Sequence, residues 1–502
     1  MRIRSLVIIL GSALLVSVAI ALWYTTDSKP KGADIHLQIR AFALNLDPQT
    51  LADTESRKVA TLLYTGLVAV DQDGAILPRV AKSWRRRDAR TWEFKLGEDE
   101  TFSDGTPVTP AKVISSLCAS MQPSDVQSWS LGSIERKSNG AGGPVTCTGL
   151  IAEGRDTVLI REATPTPWLF EALAGPGGWI IDTDLSKKAV YGVRPGTGPY
   201  VISSIVADQR IVLDRRNSGT AVPGNVGQIE FDYAPDPSVA SRMFETGQSD
   251  LIEIDSPQIA QVLLAPDGAI RRPNSRLTQY NLDRVRVVMF NLKRLQSAGL
   301  SDHEIRSFMR LYSDAVPRQQ IAANSSGLLK PMVSAFPPFG GLVQLSPGQG
   351  APGTFPQNSF TLITENDPYS DQIAAGLPQQ IGNIHIAYQA MEKSLLIGAL
   401  LKRNFDAVLM KLEATHHTPK FWTAFFTPGD PYTAFGYPID GISAIDLSQP
   451  SGIDQASALI DAKGNWVGVA REVGLYASTA QISGVRLTGS GQLSFETIGK
   501  SQ

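Results

Sequence analysis

The sequence predicts a mixed α/β protein built from several domain-sized units. Its 502 residues suggest about three units, at roughly 150 residues for each. A hydrophobic fraction of 42% and a charged fraction of 19% are those of an ordinary globular protein with ample core. The 44 glycines and 32 prolines are scattered along the chain, which favours a loop-rich α/β protein over a disordered one.

The charge balance indicates no nucleic-acid partner. Lysine and arginine number 46 against 48 acidic residues, so the net charge is −2 at neutral pH. Binding to a phosphate backbone needs a basic surface, which this balance does not favour.

The N-terminus reads as an export segment. Arg2 and Arg4 precede an uncharged apolar run from Leu6 to Leu22, and Ala19-Ile20-Ala21 offers a small-x-small cleavage site. The run is at the lower length limit for a membrane span, so residues 1–24 are either a cleaved signal peptide or a retained membrane anchor. Both alternatives place the rest of the chain outside the cytoplasm, in the periplasm or at the outer face of the inner membrane.

The stretch from Leu77 to Val113 carries the densest local pattern. Its first apolar residues recur at helical spacing and predict a short helix: Leu77, Val80, Ala81 and Trp84. The alternating residues Trp92 to Leu96 predict a half-buried strand. Asp104-Gly105 then supplies a turn, and Pro107 and Pro110 mark the start of another helix.

This order of elements resembles the family 5 extracellular solute-binding proteins, the dipeptide-, oligopeptide- and nickel-binding receptors of ABC importers. The family has a proline, a Leu-Ala-x-x-Trp segment, an aromatic strand and then Phe-x-Asp-Gly-x-Pro-x-Thr. The chain departs from the pattern at Gly97 and Lys112, where the family usually has a basic residue and an aspartate. Further similarity lies in Leu46-Asp47-Pro48 and in the loop Gly196-Thr197-Gly198-Pro199-Tyr200, whose glycines we expect to adopt conformations forbidden to other residues.

The resemblance implies a two-lobed periplasmic-binding-protein fold of type II, in the large peptide-binding class. The first lobe is expected to span 34–282 and to contain an inserted subdomain at about 64–190. The second lobe would span 283–473, and residues 474–502 would return to the first lobe. A ligand would be enclosed when the two lobes close.

The ligand-binding loop is expected after a strand at Asp406–Met410, in residues 411–419. In peptide-binding relatives an aspartate in this loop neutralises the α-amino group of the peptide, and Thr415 falls at or near its position in this sequence. Glu413 is the nearest carboxylate and a candidate substitute. His416 and His417 are either ligand or metal-chelate contacts or two solvated loop histidines, and no resident metal site is predicted.

Two further residues are predicted to contact the ligand. Asn291 ends the strand Val285–Asn291, which resembles the family's crossing to the second lobe. Trp422 belongs to an aromatic cluster at helical spacing and is either a core residue or an apolar wall of the pocket.

Cys118 and Cys147 are the only cysteines. In an exported protein they either form a disulfide or remain two buried thiols.

No catalytic motif is present: the sequence has neither Gly-x-Ser-x-Gly nor His-Glu-x-x-His. The isolated histidines His36, His303 and His385 are expected to be structural. We therefore expect a receptor without a cofactor, not an enzyme. It would capture a short peptide or similar polar solute and deliver it to the permease of an ABC transporter. The alternative is a membrane-tethered sensor or scaffold that reuses this fold without transport.

Overall fold

The computed structural model describes residues 33–40, 45–51, 54–122, 130–140, 143–166, 168–184, 191–217, 224–297, 299–332, 359–366, 368–413, 419–428, 436–447, 449–488 and 492–501. The export segment at residues 1–24 lies outside this part of the chain. Within the described residues, no helix is both long enough and apolar enough to cross a membrane.

The first lobe begins with strand β1 (Ala33–Ile39) and helix α1 (Thr54–Leu63). Val59, Leu62 and Leu63 recur at helical spacing on one face of α1 and are buried. They pack in a first-lobe core together with alternate residues of β1: Ile35, Leu37 and Ile39.

A subdomain with its own core follows. Its strands are β2 (Val68–Val70), β3 (Ile76–Pro78), β4 (Ala81–Arg86), β5 (Thr91–Leu96), β6 (Lys137–Ser138), β7 (Val145–Thr146), β8 (Leu150–Glu153) and β9 (Thr157–Arg161). Its helices are α2 (Pro110–Ser120) and α3 (Leu169–Ala174). The sheet order is β4-β5-β9-β8, and all its pairs are antiparallel. Cys118 of α2 and Cys147 are joined by a disulfide, which links the helix to the segment between β7 and β8.

The predicted helix from Leu77 to Trp84 is wrong, because this stretch forms β3 and β4. Ala81 and Trp84 lie opposite Leu96 and Phe94 of β5, with an irregularity in register after Ala81. Four apolar residues in eight positions fit a helix, but they also fit a strand interrupted by a bulge. Pairing with β5 decides between the two, and the sequence pattern does not contain that information.

The chain then returns to the first lobe through β10 (Tyr200–Val206), β11 (Arg210–Arg215) and β12 (Val226–Tyr233). These strands and β1 form a sheet of order β1-β12-β11-β10, in which only β1 and β12 are parallel. Helix α4 (Pro237–Thr246), strand β13 (Leu251–Glu253) and helix α5 (Pro257–Leu263) follow. Gly247 ends α4 with a φ of 84°, as expected for a glycine cap.

The glycines of the Gly-Thr-Gly-Pro-Tyr loop are needed for a reason other than the predicted one. Neither Gly196 nor Gly198 has a positive φ. Instead, a Cβ atom on Gly198 would lie 2.3 Å from the carbonyl carbon of Leu63, and one on Gly196 would lie 2.3 Å from the oxygen of the same residue. The glycines therefore let the loop lie directly against the C-terminal end of α1.

The second lobe is built on one large sheet. Its strands are β14 (Ser275–Phe290), β15 (Leu329–Pro331), β16 (Ser359–Glu365), β17 (Gln380–Ile381), β18 (Ile384–Met391), β19 (Ala407–Glu413) and β20 (Trp466–Thr479). Its helices are α6 (Leu292–Ser297), α7 (Asp302–Ala315), α8 (Arg318–Ala323), α9 (Pro368–Gly376), α10 (Lys393–Leu401), α11 (Pro419–Ala424) and α12 (Pro450–Lys463). The sheet order is β13-β20-β14-β19-β16-β18-β17, and β15 pairs with β20. The sheet extends into the first lobe, where β13 pairs with residues 476–478 of β20.

The tail consists of four short strands: β21 (Ile482–Ser483), β22 (Arg486–Leu487), β23 (Leu493–Ser494) and β24 (Gly499–Lys500). Leu487, Phe495 and Ile498 are buried in the first-lobe core. The chain thus passes from the first lobe to the second and back, and β14 and β20 are the strands that make the two crossings.

Candidate functional site

The crossing between the lobes lies in the middle of two long antiparallel strands. Residues 275–281 of β14 pair with 473–479 of β20, and residues 285–289 pair with 466–471. The ladder is interrupted between Asn281 and Val285. Leu282 packs in the first-lobe core, whereas Val285 packs in a core of the second lobe. We call residues 281–286 and 471–473 the crossing.

One face of β14 changes from apolar to charged as it approaches the crossing. Val288 and Phe290 are buried in the apolar core beneath α7 and α9. The next residues on that face are Arg286 and Arg284, since strand residues two apart share a face. Arg286 is only 4% exposed, so its charge must be matched by buried partners.

Those partners come from the second crossing strand and from helix α9. The Nε of Arg286 donates to Oε1 of Glu472 at 2.7 Å, and its Nη1 donates to the hydroxyl of Ser370 at 2.9 Å. The guanidinium also lies over the ring of Tyr369, 5.0 Å from the centroid. Arg284 lies one step closer to the first lobe, and its Nη1 is 3.9 Å from Oε2 of Glu472.

The charge network continues into the first lobe. The same Nη1 of Arg284 is 3.9 Å from Oε1 of Glu253, at the end of β13. The other oxygen of Glu253 is 2.7 Å from Nζ of Lys58 on α1, which is also 2.6 Å from Glu55. Arg40, just after β1, donates its backbone N–H to Glu55 and pairs with Asp255 at 3.4 Å. A line of alternating charges therefore extends across the crossing from one lobe to the other.

Burial and neighbouring charges act in opposite directions on the pKa values of Lys58 and Glu472. Burial alone would lower the pKa of the Lys58 ammonium, but the carboxylates of Glu253 and Glu55 raise that pKa well above its usual value. Burial alone would raise the pKa of Glu472, but Arg286 and Arg284 hold it below its usual value. Burial and the charge of Glu253 raise the pKa of Asp255. The network is thus held in its ionised form where opposite charges meet.

This arrangement can bind a polar solute through groups of both signs. The network contains guanidinium and ammonium donors next to carboxylate acceptors, at the place where two lobes meet. Such groups can pair with a charged ligand only if the ligand enters between the lobes, since the strands are covered on their other face by the second-lobe core.

The predicted ligand-binding loop begins beside this network. Strand β19 continues three residues beyond the predicted end at Met410, and its last residue, Glu413, lies opposite Arg284 in the antiparallel register. Residues 414–418 follow directly. The predicted contacts Thr415, His416 and His417 lie outside the described residues, and for Glu413 the structure describes the backbone position.

Asn291 and Trp422 are placed in the protein interior. The Asn291 amide donates to the backbone oxygens of Arg403 and Phe405 at 2.8 and 3.0 Å, and its own oxygen accepts from the Arg294 N–H. Trp422 is fully buried and packs in one core with Phe425. Both side chains are therefore engaged inside the second lobe: Trp422 occupies the core position that was one of its two predicted alternatives, and a ligand contact by Asn291 stays a prediction.

The charges of the crossing belong to none of the sequence motifs. Arg284 and Arg286 immediately precede the apolar run 287–290, and a charged residue inside an otherwise buried strand is the signal that could have drawn attention to them. Their partners Lys58, Glu253 and Glu472 are distant in the chain, so only the fold reveals the network.

A separate cavity of about 280 Å³ lies within the first lobe. It is bounded by α1, α3 and the C-terminal tail, and its polar lining includes the ion pair of Arg79 with Glu496. The cavity is enclosed by first-lobe elements and by the subdomain, so it does not fit a ligand held between the two lobes.

The lobes, the subdomain and the two crossing strands define a two-lobed periplasmic-binding-protein fold of the large peptide-binding class. The sequence profile described as "Bacterial extracellular solute-binding proteins, family 5 Middle" matches residues 75–431, well over half of the chain. The chain therefore belongs to the family 5 solute-binding proteins, as its motifs predict.

Individual relatives support the same assignment. The periplasmic oligopeptide-binding protein OppA of Escherichia coli is 28% identical over 183 residues, which are 34% of this chain and 34% of OppA. The alignment thus covers about a third of that relative's length. The solved structure of the E. coli murein tripeptide binding protein MppA has a TM-score of 0.73 at 17% identity, covering 94% of this chain and 99% of MppA. NikA from Staphylococcus aureus, solved in complex with Ni(L-His)2, has a TM-score of 0.69 at 18% identity, covering 94% and 100%.

Proposed function

We propose that this protein is a receptor of an ABC importer, exported to the periplasm, that captures a short peptide or a similarly sized polar solute between its lobes. The observation that carries the proposal is the buried network of alternating charges at the crossing. A ligand with charged groups would find partners of both signs at this place. Three relatives are named for polar ligands: an oligopeptide, a murein tripeptide and a histidine chelate of nickel.

The proposed mechanism is a clamp. In the open form the ligand contacts one lobe, and closure of the second lobe removes water and completes the polar contacts. Arg284 would shift between two carboxylates in this step, because its Nη1 is 3.9 Å from both Glu253 of the first lobe and Glu472 of the second crossing strand. A small rotation of the lobes would strengthen one of these contacts and weaken the other. The closed form would then dock on the permease.

Glu413, Thr415, His416 and His417 remain the proposed ligand contacts. The register places Glu413 opposite Arg284, so the segment that follows it starts at the crossing. Glu413 would capture the α-amino group of a peptide, because Thr415 stands where relatives have an aspartate. The two histidines would contact the ligand or a metal chelate. No resident cofactor takes part, and no covalent step is needed.

The test begins with native mass spectrometry of protein purified from the periplasm, which identifies any retained ligand by mass. Small-angle scattering then compares ligand-free and ligand-saturated protein. We expect compaction on binding, together with stabilisation of roughly 2.7 kcal/mol at a hundredfold excess over Kd. Tight binding without any change in the scattering profile would contradict the clamp. Accumulation of uncleaved chain in the membrane fraction would instead favour the tethered sensor or scaffold.

Two histidine variants, one at the proposed contacts and one elsewhere as its control, test the role of His416 and His417. Replacing His416 and His417 by alanine should weaken binding of the identified ligand, whereas His303→Ala on the exposed start of α7 should not. If the two proteins bind the ligand equally well, the histidines are not contacts.

A further inference from the structure

The polar face of the first-lobe sheet carries a cluster of possible metal ligands. His36 lies on β1, and Glu230 and Asp232 lie on the neighbouring strand β12. One ligand atom from each of the three residues can be chosen so that all lie within 4.8 Å of one another. The cluster is far from the crossing in the chain and belongs to no contact discussed above.

The register of the sheet fixes this arrangement. His36 is directly opposite Glu230 in the parallel pair β1–β12, and Asp232 is two residues further along. Ile35 and Phe231, on the alternate positions, are buried in the first-lobe core. The three polar residues therefore share the other face, where all three are half-buried.

The backbone at His36 is hydrogen-bonded to Asp250 as well as paired with β12. Its N–H donates to Oδ2 of Asp250 at 3.0 Å, and its carbonyl oxygen accepts from the Asp250 N–H at 2.9 Å. Pairing with β12 on one side and these two contacts with Asp250 make the position rigid. Rigid elements hold metal ligands more accurately than loops do.

The nearest cation leaves a coordination position available. Nη1 of Arg210, on β11, donates to Oε1 of Glu230 at 2.9 Å, and the Arg210 side chain is 51% exposed. A carboxylate has two oxygens, so Glu230 can keep this pair while its second oxygen binds an ion.

We propose that His36, Glu230 and Asp232 form a binding site for a divalent transition-metal ion of the zinc and nickel class. An imidazole nitrogen with two carboxylate oxygens suits these borderline ions, whereas calcium and magnesium prefer sites made of oxygen alone. Water would complete the coordination sphere. The site is separate from the crossing and does not depend on the proposed transport function.

The test titrates metal-stripped protein with Zn²⁺ alone by calorimetry, and with Co²⁺ followed by its visible absorption. The variants are His36→Gln and Asp232→Asn, which keep the size of each side chain, and circular dichroism checks that they fold. The control is His303→Gln, and the double variant His416→Ala/His417→Ala reports separately on any ion bound by the loop after β19. We expect one ion per wild-type chain and at least about tenfold weaker binding in both site variants. Loss of a residue that only hydrogen-bonds to a metal ligand already weakens binding about tenfold, so loss of a ligand itself should weaken it at least as much.

The His303→Gln control should bind the ion as the wild type does. Loss of the ion only in the double variant would place the metal in the loop after β19 and overturn the proposal. Equal affinity in the wild type and in Asp232→Asn would also overturn it, even if His36→Gln failed to fold. Because these tests use free metal and no peptide, failure of the proposed transport function would not change their outcome.

Discussion

Removal of the Arg286 charge tests whether the network at the crossing is as tightly coupled as its geometry indicates. Arg286 and Glu472 are 4% and 7% exposed and are joined by a hydrogen bond of 2.7 Å. Arg286→Met keeps an unbranched side chain about as long as the stem of arginine, but it removes the guanidinium and leaves the Glu472 carboxylate without its closest cation. The remaining cation is Arg284, at 3.9 Å.

The expected cost is large because an uncompensated buried charge is left behind. Breaking a buried ion pair from one side costs about 3–5 kcal/mol. The nearby Arg284 reduces this cost, and the lost hydrogen bond to Ser370 adds to it. We therefore expect Arg286→Met to lower the free energy of unfolding by about 3 kcal/mol. The double variant Arg286→Met/Glu472→Leu removes both charges and should recover most of that loss, because apolar replacements of a buried pair are often neutral.

The pH dependence follows from the depressed pKa of Glu472. A carboxylate with a lowered folded-state pKa contributes stability above its unfolded pKa of about 4.3, and loses it as the pH falls through the folded value. Arg286→Met should raise the folded pKa. The difference in unfolding free energy between wild type and variant should therefore be greatest near neutral pH and shrink below about pH 4.

The assay is urea unfolding followed by tryptophan fluorescence at several pH values, with Arg276→Met as control. Arg276 lies on the same strand and is exposed, so its replacement should change stability by no more than about 0.5 kcal/mol. Equal costs for Arg286→Met and Arg276→Met would refute the reasoning. A double variant less stable than Arg286→Met would also refute it.

Three further predictions concern other parts of the chain. Gly198→Ala places a Cβ atom 2.3 Å from the α1 backbone and should lower the free energy of unfolding by about 1–3 kcal/mol or more, as measured by thermal unfolding. The control Gly398→Ala lies in open space on α10 and should raise it by about 0.5–1 kcal/mol. Equal effects of the two substitutions would mean that the loop moves away freely. Thiol titration of denatured, unreduced periplasmic protein should find no free thiol, and two reactive thiols would contradict the disulfide. Replacing Cys118 and Cys147 by alanine should lower the free energy of unfolding by roughly 3–4 kcal/mol for a loop of this length. Calorimetry with a peptide and its N-acetylated twin should show that Glu413→Gln weakens only the free-amine peptide, by about 3–5 kcal/mol; an unchanged preference would assign the amine to another carboxylate.

The candidate site was only partly predictable from the sequence. The order of the motifs located the crossing strand at Val285–Asn291 and the segment after β19, because both follow the family pattern. The roles of single residues were less secure. Asn291 and Trp422 have residue types common in binding sites, but the polar atoms of one are taken up by backbone groups and the ring of the other is inside the core. Nothing in their local sequence distinguishes these uses.

The sequence by itself determined the elements that depend on local chemistry. Helices α1 and α7 follow from apolar residues that recur at 3.6-residue spacing, and α7 begins with a capping box formed by Ser301 and Glu304. The Asp104-Gly105 turn and the Gly247 cap are also local, since each depends on a glycine with positive φ.

Only the tertiary structure decided the features that depend on residues distant in the chain. Strand pairing with β5 turned the predicted helix at Leu77–Trp84 into strands. Close approach to α1, and not a special φ, explains the glycines at 196 and 198. The charges at the crossing come from α1, β13, β14 and β20, so their pairing exists only once the lobes are assembled. The physical reason is the same in each case: pairing, packing and Coulomb energy depend on distances in space, which a linear sequence does not give.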